Sequence, residues 1–240
     1  MSTGRNIVVL TGAGVSAESG IDTFRAEGGL WENHRVEDVA TPEAFSRDPD
    51  LVLRFYDMRR AAIQTKEPNA AHHALARLEA EWPRRVVGGT VTLVTQNVDD
   101  LHERAGSFNL IHMHGEHLNA WCRACEMRSV WTGALSHRPQ CPQCGARALR
   151  PDILWFGEMP YRMADIYDAM HNADMFVSIG TSGAVYPAAG LVRIARDNGV
   201  QTLELNLDPS QGSDLFDESR IGPATRLVPG WVDEMLAGTK

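Results

Sequence analysis

Short β-branched runs recur along the chain and alternate with stretches of helical periodicity, the pattern of a parallel sheet wrapped by helices. Runs at 7–11, 91–95, 110–113, 175–180 and 202–206 read as strands, each ending in or beside Gly, Thr, Asn or His. In open α/β sheets ligands bind outside the carboxyl ends of the strands, so these polar endings gather at one edge. Two stretches break the alternation. Residues 36–84 carry helical periodicity alone, with Pro42, Pro49 and Pro68 placed as first-turn residues after Thr41, Asp48 and Glu67. Residues 118–149 have little periodicity and hold the cysteines. Both read as excursions from an α/β core that together form a smaller lobe.

Composition narrows the class without changing this picture. At 240 residues, 43% hydrophobic and 22% charged, the chain can bury a real core, which excludes disordered and rod-like classes. A net charge of −8 opposes non-specific attraction to nucleic acid or anionic lipid. The first apolar run is too short for a signal-peptide core and no stretch is long enough to span a bilayer, so a cytoplasmic protein is expected.

The chemistry sits at the strand ends. Gly12-Ala13-Gly14-Val15-Ser16-Ala17 follows a strand and fits a Gly-x-Gly-x-x-Ala dinucleotide turn, in which glycines let backbone N–H groups approach a pyrophosphate. A plain strand-to-helix turn is the competing reading, and the polar, Gly-broken run after Ala17 is unlike the helix and second strand that should follow. Gln96, Asn97 and Asp99 lie just past the second run; either of the last two could be a helix cap, but a pair of amides suits ribose hydroxyls or a carboxamide. His114 precedes Gly115, so backbone and imidazole can reach one cleft, and it is the leading general-base candidate. Gly180-Thr181-Ser182 and Asn206 add small polar groups at the same edge, though each could be a simple turn.

Cys122-x2-Cys125 and Cys141-x2-Cys144 form two knuckles separated by fifteen residues. Four thiolates at this spacing fit a closed, structural zinc ribbon with no position left for water.

Taken in order, GAGVSAESGIDTFR (12–25), TQNVDDLH (95–102), HGE (114–116), the paired knuckles, WFGE (155–158), GTS (180–182) and NLD (206–208) resemble the sirtuins, the NAD-dependent protein lysine deacylases. The likeness covers nearly the whole chain. It implies a Rossmann-type domain from residues 1–35, 85–117 and 150–240, with a small domain made of a helical module (36–84) and a zinc ribbon (118–149). It further implies NAD and acyl-lysine peptide in the cleft between them, nicotinamide release, and transfer of the acyl group to ADP-ribose. By this resemblance His114 is the catalytic base and Asn97 holds the ribose. Gly12, Ala13, Gly14, Ser16, Phe24, Arg25, Gln96, Val98, Asp99, Gly180, Thr181, Ser182 and Asn206 surround NAD. Trp155, Phe156 and Gly157 match the strand that pairs with substrate backbone, and Leu154 stands where the family usually has valine, a departure that bears on the width of the substrate lysine's channel.

Val52, Tyr56, Arg59 and Ile63 form one stripe of a helix, with Arg59 interrupting an otherwise apolar face. A structural ion pair would explain it. Tyr-x-x-Arg is also similar to the signature of sirtuins that remove succinyl and malonyl groups, so Tyr56 and Arg59 are expected to receive an acidic acyl chain. Protein mono-ADP-ribosyl transfer is the alternative, since it shares the NAD-cleaving step; a dehydrogenase and a non-enzymatic zinc adaptor are weaker alternatives. Acyl-lysine proteins are the expected partners, with no membrane or nucleic acid, and the chain is expected to be a monomer.

Overall fold

The computed structural model describes residues 5–22, 30–31 and 34–238. Six parallel strands form the main sheet: β1 (Asn6–Thr11), β4 (Thr90–Thr95), β5 (Leu110–His112), β9 (Met175–Ile179), β10 (Gln201–Asn206) and β11 (Glu218–Ile221). They lie in the order β11-β10-β9-β1-β4-β5. Counted along the chain this is the doubly wound order, with its reversal between β1 and β9. β1 and β9 are apolar on both faces because both faces are covered. Ile7 and Val9 point to α4 (Ala70–Arg85) and α8 (Ala224–Ala237). Val8 and Leu10 point to α6 (Met163–His171) and α7 (Leu191–Asp197), as period-two alternation requires.

The small lobe packs α1 (Val36–Val39), α2 (Pro42–Arg47) and α3 (Pro49–Ile63) against an antiparallel sheet in the order β7-β6-β8. Its strands are β6 (Gly115–Cys122), β7 (Arg128–Val130) and β8 (Leu149–Ile153). A two-stranded ribbon, β2 (Leu30–Trp31) and β3 (His34–Arg35), precedes α1, and α5 (Leu101–Ala105) follows β4. Thr41 and Asp48 cap α2 and α3 as expected, their oxygens accepting from Ala44 N at 3.0 Å and Leu51 N at 2.9 Å.

Three expectations are corrected. The 36–84 stretch is not one module: the apolar stripe of α4, with Ala71, Leu75, Leu78 and Trp82, joins the core of the main sheet. Helical periodicity shows which face is buried but not what covers it, and α4 is the crossover from β1 to β4, displaced by an insertion. That supplies the helix missing after the glycine turn. Pro68 lies outside α4, whose cap is Asn69, accepting from Ala71 N at 2.9 Å. Residues 155–157 form no strand; β8 ends at Ile153 and a turn follows, with Gly157 at φ 90°.

Candidate functional site

The floor of the site is the crevice where strand order reverses. Gly12 N–H donates to Ile179 O at 3.0 Å and Gly14 N–H to Gly180 O at 2.8 Å, stitching the loop after β1 to the loop after β9. A Cβ on Gly12 would lie 2.8 Å from Gly180 O, one on Gly14 2.7 Å from Gly180 Cα, and one on Gly180 2.5 Å from Val15 N. The three glycines are therefore demanded by the protein's own backbone before any ligand is considered. The turn opens two single 3-10 turns, Ala13–Val15 and Ala17–Ser19, rather than a long helix, so the helix dipole assumed for a dinucleotide turn is absent there.

Above this floor, β1 and β4 place a buried polar network. Ser16 Oγ donates to Asp99 Oδ2 at 3.1 Å, accepts from Asn97 Nδ2 at 3.1 Å, and lies 3.3 Å from His72 Nε2. His72 Nδ1 accepts from Asn69 N at 3.2 Å, which puts its proton on Nε2 and makes it a donor to Ser16. Ser16 thus accepts twice and donates once, the full capacity of a hydroxyl. Burial pushes His72 down to about 4, keeping the ring neutral. Burial also raises the Asp99 carboxyl, opposed by bonds from Leu101 N and Ser16. Thr11 Oγ1 donates to Thr95 Oγ1 at 2.8 Å and sits 3.0 Å from His102 Nε2, while Asn97 N donates to Thr95 Oγ1 at 3.0 Å.

Sequence reasoning missed Thr11, His72, Thr95 and His102. The available signal was a buried-face His in α4 three residues after an Asn cap.

Gln96, half-buried, donates its N–H to Thr11 O at 2.9 Å, and its carbonyl lies 3.1 Å from His114 Nδ1. A carbonyl only accepts, so Nδ1 carries the proton and His114 Nε2 is left as a lone-pair base. Burial lowers the His114 pKa, with the Gln96 bond opposing. Val98 O accepts from His117 N at 2.7 Å, linking the polar edge to the small lobe. On the other side of the crevice, Asn206 Nδ2 donates to Thr181 O at 2.6 Å, Thr181 Oγ1 pairs with Ser178 Oγ at 2.9 Å, and Ser182 Oγ accepts from Ala184 N at 3.3 Å. The structure thus brings Gly12, Ala13, Gly14, Ser16, Gln96, Asn97, Val98, Asp99 and His114 to one edge with Gly180, Thr181, Ser182 and Asn206. Phe24 and Arg25 lie outside the described residues.

The substrate candidates divide. Tyr56 and Arg59 are buried in the small lobe, Tyr56 with its ring 5.7 Å from that of His117 and 6.2 Å from that of Trp155. Trp155 is core, 2% exposed, with the Arg150 guanidinium over its ring, so it offers no surface to a peptide. Phe156 is exposed. The backbone N–H groups of Leu154, Trp155 and Phe156 already donate to His114 O, Glu158 Oε2 and Ala40 O, which leaves them unable to pair with an added strand.

The four cysteines converge. Cys122 and Cys144 Sγ are 3.7 Å apart, as are Cys125 and Cys141 Sγ, and all four sulfurs lie within 4.8 Å of one another. A disulfide needs about 2.05 Å. Four sulfurs at about 2.3 Å from a tetrahedral zinc stand about 3.8 Å apart, so the donor set fits that ion. The ribbon is tied to α3 by Arg60, which donates to His117 O at 2.7 Å and to Asp57 at 3.0 Å, while Asp57 accepts from Leu135 and Ser136 N at 2.8 Å each.

The Sir2 family matches over residues 12–187. A relative from Vibrio parahaemolyticus serotype O3:K6 (strain RIMD 2210633), named NAD-dependent protein deacylase, is 58% identical over 240 residues, spanning 97% of this chain and 96% of its own. A solved Sir2 homologue–NAD complex is 40% identical with a TM-score of 0.87, spanning 99% of this chain and 91% of that one. A mutant Sir2 homologue in complex with 2'-O-acetyl ADP-ribose is 38% identical with a TM-score of 0.87, spanning 99% and 94%. With a family match over well more than half its length and relatives this close across nearly all of it, the chain belongs to the Sir2 family.

Proposed function

We infer that the protein is an NAD-dependent protein deacylase that removes acyl groups from lysine, releasing nicotinamide and O-acyl-ADP-ribose. The observation that carries this reading is the pairing of His114, a neutral imidazole with one nitrogen committed to Gln96 O, with the saturated Ser16–Asn97–Asp99 network beside it. A deacylase needs one base at the reacting ribose and a rigid polar cradle for the leaving carboxamide, and these residues supply both. In this reading Asn97 faces the ribose, Asp99 and Val98 the carboxamide, and Gly180, Thr181, Ser182 and Asn206 the adenosine end. Asn97 Nδ2 gives one of its two N–H groups to Ser16, which leaves its Oδ1 and its second N–H for ribose hydroxyls. His114 Nε2 takes the proton of the hydroxyl that attacks the acyl carbon. Zinc supplies no chemistry here; four thiolates leave no open position, and its part is to hold the small lobe.

Acyl-lysine proteins are the partners of this reading, met in the cytoplasm by a monomer. Tyr56 and Arg59 receive an acidic acyl chain, so succinyl and malonyl groups are substrates along with acetyl. Phe156, exposed on the turn after β8, meets the peptide. Mono-ADP-ribosyl transfer is disfavoured, since relatives carry the deacylase name and one neighbour holds an acetylated ADP-ribose.

Incubation with NAD and acetyl- or succinyl-lysine peptide tests the assignment. Stoichiometric nicotinamide and O-acyl-ADP-ribose are expected, whereas label retained on protein without acyl-lysine would favour the transferase. Arg59→Met is expected to cut kcat/KM on succinyl peptide about tenfold or more, the scale of one lost charge-assisted hydrogen bond, with a smaller change on acetyl peptide. Equal losses on both would remove the acidic-chain assignment.

A further inference from the structure

His112 stands two residues before His114 and has a different environment. Its Nδ1 lies 3.2 Å from Asn97 O and its Nε2 2.6 Å from Glu103 Oε1. A carbonyl and a carboxylate are both acceptors, so both ring nitrogens must carry hydrogen, and an imidazole with two N–H groups is a cation. Only one nitrogen of His114 meets such an acceptor among the described residues.

We propose that His112 is a positioning residue, a cationic brace that ties the Asn97 main chain to Glu103 of α5 and thereby holds the Asn97 amide against Ser16 in the cofactor crevice. Asn97 is pinned at three points: N–H to Thr95 Oγ1, Nδ2 to Ser16 Oγ, and carbonyl from His112. Among the described residues, the third pin is the one that holds the peptide plane between Asn97 and Val98. Releasing it lets that plane turn, and with it Val98, whose carbonyl receives His117 N–H from the small lobe.

The titratable groups around the ring are Glu103 of α5, Glu116 of β6, Asp99 before α5 and the buried His102 of α5. Burial alone would lower the His112 pKa; the Glu103 bond and charge, with Glu116, outweigh it and raise it. The brace is therefore complete below the raised value and is lost as pH climbs through it. His114 runs the other way: its base form is present above its lowered pKa and is lost as pH falls. The pH profile of kcat/KM for NAD should be a bell, its acid limb set by His114 and its alkaline limb by His112.

This inference rests on the deacylase reading for its kinetic arm alone. Nitrogen NMR of the histidine-labelled protein at pH 7, assigned against His112→Leu, should show both ring nitrogens of His112 protonated and one of His114. Glu103→Gln keeps an oxygen acceptor but removes the charge, and should move the alkaline limb down by about one pH unit or more. His112→Leu should raise KM for NAD about tenfold with a smaller change in kcat. If that variant does not fold, Glu103→Gln supplies the NMR assignment by its shift and carries the test. A singly protonated His112 at pH 7, or an alkaline limb unmoved in Glu103→Gln, overturns the proposal. Wild-type protein that releases no nicotinamide would fail the deacylase reading instead, with the NMR result still deciding His112.

Discussion

The core around the main sheet is built on Ile7, Val9, Leu75, Leu78, Val177, Leu203 and Trp231, and its buried polar groups, such as His72, His102 and Glu204, include no Arg or Lys among the described residues. The core of the small lobe mixes Val52, Phe55 and Trp155 with two buried cysteines and the buried cations Arg59, Arg60 and Arg150. The first is held by non-directional burial spread over six strands and their covering helices. The second, a three-stranded sheet packed by α1, α2 and α3, adds directional bonds to its apolar core: four thiolates around one point, Arg60 to Asp57, Arg150 to Glu158 at 2.7 Å. A lobe built this way has few ways to fail gradually, whereas the sheet tolerates many small losses.

Metal removal should break the contrast most sharply. Structural zinc contributes on the order of 10 kcal/mol to small metal-bound folds, so chelation or Cys141→Ser is expected to unfold the small lobe and leave the sheet. Hydrogen exchange read by mass spectrometry should show lost protection in α3, β6 and β8 with protection retained in β1, β4 and β9. Uniform loss would show that the two lobes fold as one unit. Next in size is Asp57→Ala, which strands buried Arg60 and the N–H groups of Leu135 and Ser136; about 3–5 kcal/mol of stability is expected to go, read by urea unfolding. The large-lobe counterpart is Gly180→Ala. Gly180 sits at φ 63° with its missing Cβ 2.5 Å from Val15 N, so about 2 kcal/mol should be lost, with weaker NAD binding by calorimetry because the β1 and β9 loops separate. A silent Gly180→Ala would mean that the loop contact is not what the crevice needs.

The same contrast explains what could be read from the amino-acid sequence. Strands β1 and β9 announce themselves because burial on both faces forces nearly continuous apolar runs, β4 and β10 by short runs rich in Val, Leu and Thr, and the cysteine spacing announces its cluster because tetrahedral geometry restricts the ligands. β11 was invisible, being a polar edge strand of Glu218, Ser219 and Arg220 with little to bury. α4 was seen as a helix but given to the wrong lobe, since its stripe does not name its partner. Ser16, Asn97 and Asp99 were legible as polar strand ends. His72 and His102 were not, because a buried neutral histidine looks in sequence like any other, and only the fold puts His72 beside Ser16. For Trp155 the motif spoke only of the backbone, and the place of its indole, in the core under Arg150, could not be read from it.

The central claim is that His114 Nε2 accepts the proton that drives acyl transfer to ribose. It is tested most directly by following O-acyl-ADP-ribose formation by His114→Ala with NAD and acyl-lysine peptide under saturation. A loss of about 10²-fold to 10⁴-fold with unchanged thermal stability and NAD affinity is expected. Product formed at the wild-type rate by that variant would contradict the account.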